Sequence, residues 1–169
     1  MKVIFLDIDG VVCINGKLQK SLLIKLQTLV YKTNAKVVLS SNWRLYSNYK
    51  KHIIEVLSTY QIDVIDCTCS RMDLRPLEIF LWVEEYRPDM CIVLDDRPLR
   101  YEKNGSMLGD CCIQTNTQQG LTDSNVYWGT HVLNSYQAQV AFNSIHLNKK
   151  SRLRRSNTNI VKLPLLVSK

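Results

Sequence analysis

The sequence predicts an α/β fold, a three-layer, Rossmann-like arrangement around a central, mainly parallel five-stranded sheet. Two observations lead there. Short apolar runs that suit buried strands alternate with helix-patterned segments of about 10–15 residues, which is the signature of βαβ units. Several of those runs also end on acidic or hydroxyl residues, and in open α/β sheets the ligand site lies beyond the carboxyl ends of the strands.

Taken in order, residues 3–6 form an apolar run that stops at Asp7 and Asp9, as a buried strand does. Residues 21–32 place Leu22, Leu26, Leu29 and Val30 on one helical face. A second strand covers residues 36–40, with Val37, Val38 and Leu39 at its centre. Residues 48–60 carry Ile53, Ile54, Val56 and Leu57 and read as a helix, and residues 62–67 as a third strand. Arg75-Pro76 opens the next helix, because proline in the first turn lacks only an N–H that would be unpaired anyway. Its apolar face holds Ile79, Trp82 and Val83, and Pro88 closes it. Residues 91–94 and 111–115 are the fourth and fifth strands. Thr122 is a suitable N-cap for a helix through Leu133, and residues 136–147 form a last helix.

A length of 169 residues with 46% hydrophobic content supports one domain with a buried core and is too short for two ordinary ones. A charged fraction of 22% and a mean hydropathy of −0.12 exclude a disordered, collagen-like or coiled-coil chain. No apolar run reaches the length of about 18 residues that a membrane span needs. The apolar start is interrupted by Asp7 and Asp9, too early for a signal peptide. An intracellular protein is expected.

The net charge of +7 is confined to one end. All fifteen acidic residues precede Lys149, and residues 1–148 hold fifteen Lys and Arg as well. Lys149, Lys150, Arg152, Arg154, Arg155, Lys162 and Lys169 supply the whole excess. The chain therefore divides into a neutral domain, residues 1–147, and a basic, flexible tail, residues 148–169. The tail reads most simply as a solvated terminus; a nucleic-acid contact or a nuclear localisation signal is the functional alternative. A cytoplasmic location is expected, with the nucleus as the alternative that the tail would direct. The six cysteines include a CxC and an adjacent pair but no C-x-x-C, and no His lies near them. They read as small, reduced core residues in a reducing compartment rather than as a zinc site.

The chemistry concentrates at the strand ends. Asp7-Ile8-Asp9-Gly10 sends two carboxylates toward one opening, and Gly10 allows the tight turn. Two such carboxylates repel, so one ionises readily and the other holds its proton, the division that a nucleophile and a general acid/base require. Asp95 and Asp96 follow a neighbouring strand, and four clustered carboxylates call for a cation. All-oxygen donors select Mg²⁺. Ser40 and Ser41 offer hydroxyl donors to a phosphate, and Arg75 offers a charge against a transferring phosphoryl group.

These motifs resemble the haloacid dehalogenase-like (HAD) phosphohydrolase superfamily. Val3-Ile-Phe-Leu-Asp-Ile-Asp-Gly resembles its first motif, Val37-Val-Leu-Ser-Ser-Asn-Trp-Arg its second and Ile92-Val-Leu-Asp-Asp its fourth. Arg75-Pro-Leu-Glu-Ile-Phe-Leu-Trp is similar to the helix that carries the third. The likeness is closest to small, capless HAD domains with a Ser-Ser-x-Trp-Arg second motif, including those associated with RNA repair proteins, and spans roughly residues 2–135. It implies an aspartyl-phosphate on Asp7, with Asp9 protonating the leaving group and then activating water. It implies Mg²⁺ held by Asp7, the backbone carbonyl of Asp9, Asp95 and Asp96, and phosphate held by Ser40 or Ser41. The third-motif base, more often Lys, falls to Arg75, with Arg71 in reserve.

Neither the interval from Asp9 to Ser40 nor that from Ser40 to Arg75 has room for a cap domain, so the site should be open and admit a nucleic-acid end or a phosphoprotein. Arg44 is a candidate substrate contact. Trp43 reads as packing or, with Tyr46, as a surface for stacking. His52, His131, His146 and the Glu78, Glu84 and Glu85 face are expected to play no catalytic part. Two functions follow: a Mg²⁺-dependent phosphatase acting on a phosphomonoester, or a HAD-like binding module whose basic tail holds nucleic acid or a partner.

Overall fold

The three central apolar runs, residues 2–6, 36–39 and 90–95, become strands because each is short, contains β-branched residues and is buried on both faces. A computed structural model describes residues 1–70 and 74–135. It begins with β1 (Lys2–Leu6), a hairpin of β2 (Cys13–Ile14) and β3 (Lys17–Leu18), and α1 (Lys20–Thr33). There follow β4 (Lys36–Leu39), a 3₁₀ turn (Asn42–Leu45), α2 (Ser47–Thr59), β5 (Val64–Cys67) and α3 (Arg75–Tyr86). The chain continues through β6 (Met90–Asp95), three short 3₁₀ turns, β7 (Cys112–Gln114) and α4 (Asp123–Asn134). Arg71, the expected helix over residues 136–147 and the basic tail lie outside the described residues.

The central sheet has five strands in the order β5-β4-β1-β6-β7, every pair parallel. This is the expected three-layer α/β architecture. Strand order reverses around β1, because the chain runs outward through β4 and β5 and then returns to β6 on the other side. Such a reversal splays the loops at the carboxyl ends and leaves a crevice there.

Helices cover both faces. Ile4 and Ile92 are register partners and share one face. A Cβ added at Gly129 of α4 would press on Ile92 and on Leu29 of α1, so α1 and α4 pack together on that face. Phe5 points the other way and meets Trp82 of α3 edge-on at 5.3 Å. The helix ends follow their local chemistry. Thr122 and Asn125 form a reciprocal capping box at the start of α4, and Pro76 lies in the first turn of α3. The stretch after β1 holds only the β2–β3 hairpin, far too small to close over the sheet edge.

Candidate active site

β1, β4 and β6 are parallel and adjacent, so the residues just past them meet at one edge. Asp7 follows β1, Ser40 and Ser41 follow β4, and Asp95 ends β6 with Asp96 next. Carboxylate oxygens of Asp7, Asp95 and Asp96 all lie within 4.8 Å of one another. Asp7 and Asp95 are buried and Asp96 is half-buried.

Gly10 makes that gathering sterically feasible. Its φ is +69°, and a Cβ built there would collide with the Asp96 side chain. The Asp-x-Asp-Gly turn and the Asp95-Asp96 pair therefore touch through a position that tolerates no side chain. Thr115 Oγ1 donates to the Gly10 carbonyl at 2.7 Å and ties the turn to the end of β7.

Arg75 enters the cluster from the first turn of α3. Its Nη1 lies 2.6 Å from Asp95 Oδ2 and 3.0 Å from Asp7 Oδ2. Its Nη2 donates to Asn42 Oδ1 at 3.3 Å, and its buried Nε has no partner among the described residues. Burial pulls the guanidinium pKa down, but the two carboxylates outweigh it and the net shift is upward. The Asp95 carboxyl is pushed up to about 6 by burial and by Asp7, although Arg75 and the Arg97 N–H oppose that shift. One guanidinium does not neutralise the cluster. Oxygen-only donors, close together and short of positive charge, fit a hard divalent cation such as Mg²⁺.

Asp9 stands apart. It is exposed, contributes no side-chain oxygen to the cluster and accepts a hydrogen bond at 2.8 Å from Trp43 Nε1. The Cys13 thiol, pushed up to about 11 by burial and by Asp9, is its other neighbour. Ser40 Oγ is fully buried without a partner among the described residues, whereas Ser41 Oγ caps the 3₁₀ turn by accepting from Trp43 N at 3.4 Å. Two hydroxyls that are adjacent in sequence thus have different duties.

Two expectations are corrected. Arg44, read as a substrate contact, points inward and is 8% exposed. Its Nε donates to Thr68 O, its Nη1 to Ser40 O and Ser41 O, and its Nη2 to Cys69 O and Glu78 Oε2. A guanidinium with all three nitrogens committed has nothing left for a substrate. Glu78, read as part of a solvated face, is its buried partner at 2.5 Å. The contacts of Trp43 with Asp9 and of Asn42 with Arg75 were not foreseen, because the partners lie more than thirty residues apart. The Trp-Arg pair after Ser-Ser was the available signal: one residue turns outward to the acid and the next inward to hold the turn.

A doubly wound sheet with an acid-lined, Arg-bridged edge defines a HAD-type phosphohydrolase-like domain. The family model for the HAD domain in Swiss Army Knife RNA repair proteins matches residues 3–126, and the chain belongs to that family. No curated protein and no solved structure matches it. No helix among the described residues is long and apolar enough to cross a membrane.

Proposed function

We propose that this chain is a Mg²⁺-dependent phosphatase that hydrolyses a phosphomonoester through an aspartyl-phosphate on Asp7. The observation that carries this reading is the meeting of Asp7, Asp95 and Asp96 with Arg75, while Asp9 stands exposed beside them. Asp7, Asp95 and Asp96, with the Asp9 carbonyl, would hold Mg²⁺. The ion would supply Lewis-acid charge against the phosphoryl oxygens.

An Asp7 oxygen attacks phosphorus, the bond to the leaving oxygen breaks and Asp9 gives that oxygen its proton. Asp9 then takes a proton from water as the water oxygen attacks phosphorus. The Asp7–phosphorus link breaks and inorganic phosphate departs. Arg75 offsets charge on Asp7 and on the moving phosphoryl group. Ser40, whose buried hydroxyl has no partner among the described residues, donates a hydrogen bond to the phosphate, and Ser41 shapes the turn beside it.

The absence of a large insertion after β1 leaves room for a bulky substrate. Trp43, Tyr49 and Tyr46 form a line of rings 5.2 and 6.1 Å apart, with both tyrosines exposed. Residues 42–54 contain no acid. Exposed rings suit stacking by unpaired bases, so a nucleic-acid end is favoured over a phosphoprotein. The six free thiols suit a reducing compartment, and we place the protein in the cytoplasm.

The test is hydrolysis of p-nitrophenyl phosphate with Mg²⁺ and with EDTA, beside Asp7→Asn. Turnover that requires both Mg²⁺ and Asp7 is expected. An Asp7→Asn protein as active as the unmodified one would sink the mechanism.

A further inference from the structure

The contact between Trp43 and Asp9 is the feature that the proposed mechanism does not yet use. Asp9 is exposed, and a free carboxylate at a surface rotates between rotamers and shares its proton with water. Here Oδ2 accepts from an indole N–H at 2.8 Å. That indole is itself held. Its backbone N–H meets Ser41 Oγ, its ring packs on Tyr49, and the next residue, Arg44, locks the same turn through its guanidinium. A rigid turn therefore presents a rigid donor to a mobile carboxylate.

An indole N–H donates and never accepts. It cannot take the proton that Asp9 carries, and while bonded it keeps that proton off Oδ2.

We propose that Trp43 is a positioning residue for the reaction, dividing the labour between the two oxygens of Asp9. Oδ2 is anchored to the indole, and Oδ1 alone faces the leaving oxygen and exchanges the proton. This rests on Asp9 being the general acid. It assigns to the Ser-Ser-x-Trp-Arg segment a part in protonating the leaving group, beyond packing or stacking.

Leaving-group chemistry tests it. A p-nitrophenolate departs with little help, whereas an alkoxide needs a proton. In Trp43→Phe an aromatic ring remains beside Tyr49, while the indole N–H is lost with the five-membered ring that carries it. The quantity to follow is kcat/KM in Mg²⁺ for p-nitrophenyl phosphate and for glycerol phosphate, because it reports the step in which the leaving group departs. A hydrogen bond to a charged group corresponds to about 10- to 100-fold in rate. The expected loss is of that size for glycerol phosphate and clearly smaller for p-nitrophenyl phosphate. In an Asp9→Asn background, Trp43→Phe should cost nothing further, since a residue that acts only through Asp9 has nothing left to act on. Equal losses on both substrates, unchanged or faster turnover of glycerol phosphate, or an undiminished effect in Asp9→Asn would each overturn the proposal. Turnover that survives Asp7→Asn would instead overturn the phosphatase reading beneath it.

Discussion

Arg44 and Arg75 are both almost wholly buried, at 8% and 4% exposure, and both lie at the carboxyl edge of the sheet. Their surroundings differ in kind. Arg44 faces four backbone carbonyls and Glu78, an arrangement that leaves no guanidinium nitrogen idle. Arg75 faces two carboxylates with one nitrogen at both, makes a long bond to Asn42 and has an Nε without a partner among the described residues. Burial alone does not tell a structural arginine from a functional one. Completeness of satisfaction does. A finished network holds shape, and an unfinished one has capacity left for a ligand.

If that distinction is right, Arg44 belongs to stability. Arg44→Met takes the guanidinium away from the buried Glu78 carboxylate and from four carbonyls, and should lower the unfolding free energy by about 3–5 kcal/mol. Adding Glu78→Leu removes the buried charge as well and should recover part of the loss. Urea unfolding of the single and double variants checks this. A double variant no more stable than the single one would mean that the carbonyl contacts, not the ion pair, carry the effect.

Arg75 should behave in the opposite way. Arg75→Gln in saturating Mg²⁺ is expected to cut kcat/KM by about 10²- to 10³-fold, the usual loss for one aimed donor at a reacting group. Its unfolding free energy should move less than that of Arg44→Met. A variant that unfolds as readily as Arg44→Met yet retains its rate would reverse the assignment of the two arginines.

The same contrast explains what could be read from the sequence. Strand positions were plain, because β1, β4 and β6 are short apolar runs buried on both faces, and the acids and serines at their ends announced the site. The cap on α4 was visible in Thr122, and the start of α3 in Arg75-Pro76. The β2–β3 hairpin was missed, since two-residue strands show no alternation. Its turn, Asn15-Gly16, with both φ values positive, was the one local signal for it. Arg44 was misread because its inward turn depends on carbonyls and on a Glu that reach it only after folding. Local pattern reports an element; it does not report which long side chain will be satisfied within the fold.

The smallest expected effect concerns the charge that Arg75 leaves over. Asp95 has a folded pKa of about 6 against an ordinary 3.8. A raised carboxyl binds its proton more tightly folded than unfolded. Its contribution to stability is therefore full below about pH 4 and is lost as pH rises through 6. The loss amounts to about 2–3 kcal/mol at the ordinary conversion for a pKa difference. In EDTA, the melting temperature should fall between pH 4.5 and pH 7, taking these as roughly the ends of that window. Asp95→Asn, uncharged throughout, should flatten that part of the profile. Adding Mg²⁺ at neutral pH should raise the melting temperature of the unmodified protein, because a ligand bound only by the fold stabilises it. It should do so far less in Asp95→Asn. A flat profile in EDTA, or an equal Mg²⁺ response in both proteins, would mean that Arg75 satisfies its carboxylates as fully as Arg44 satisfies Glu78, and the distinction between the two arginines would fall.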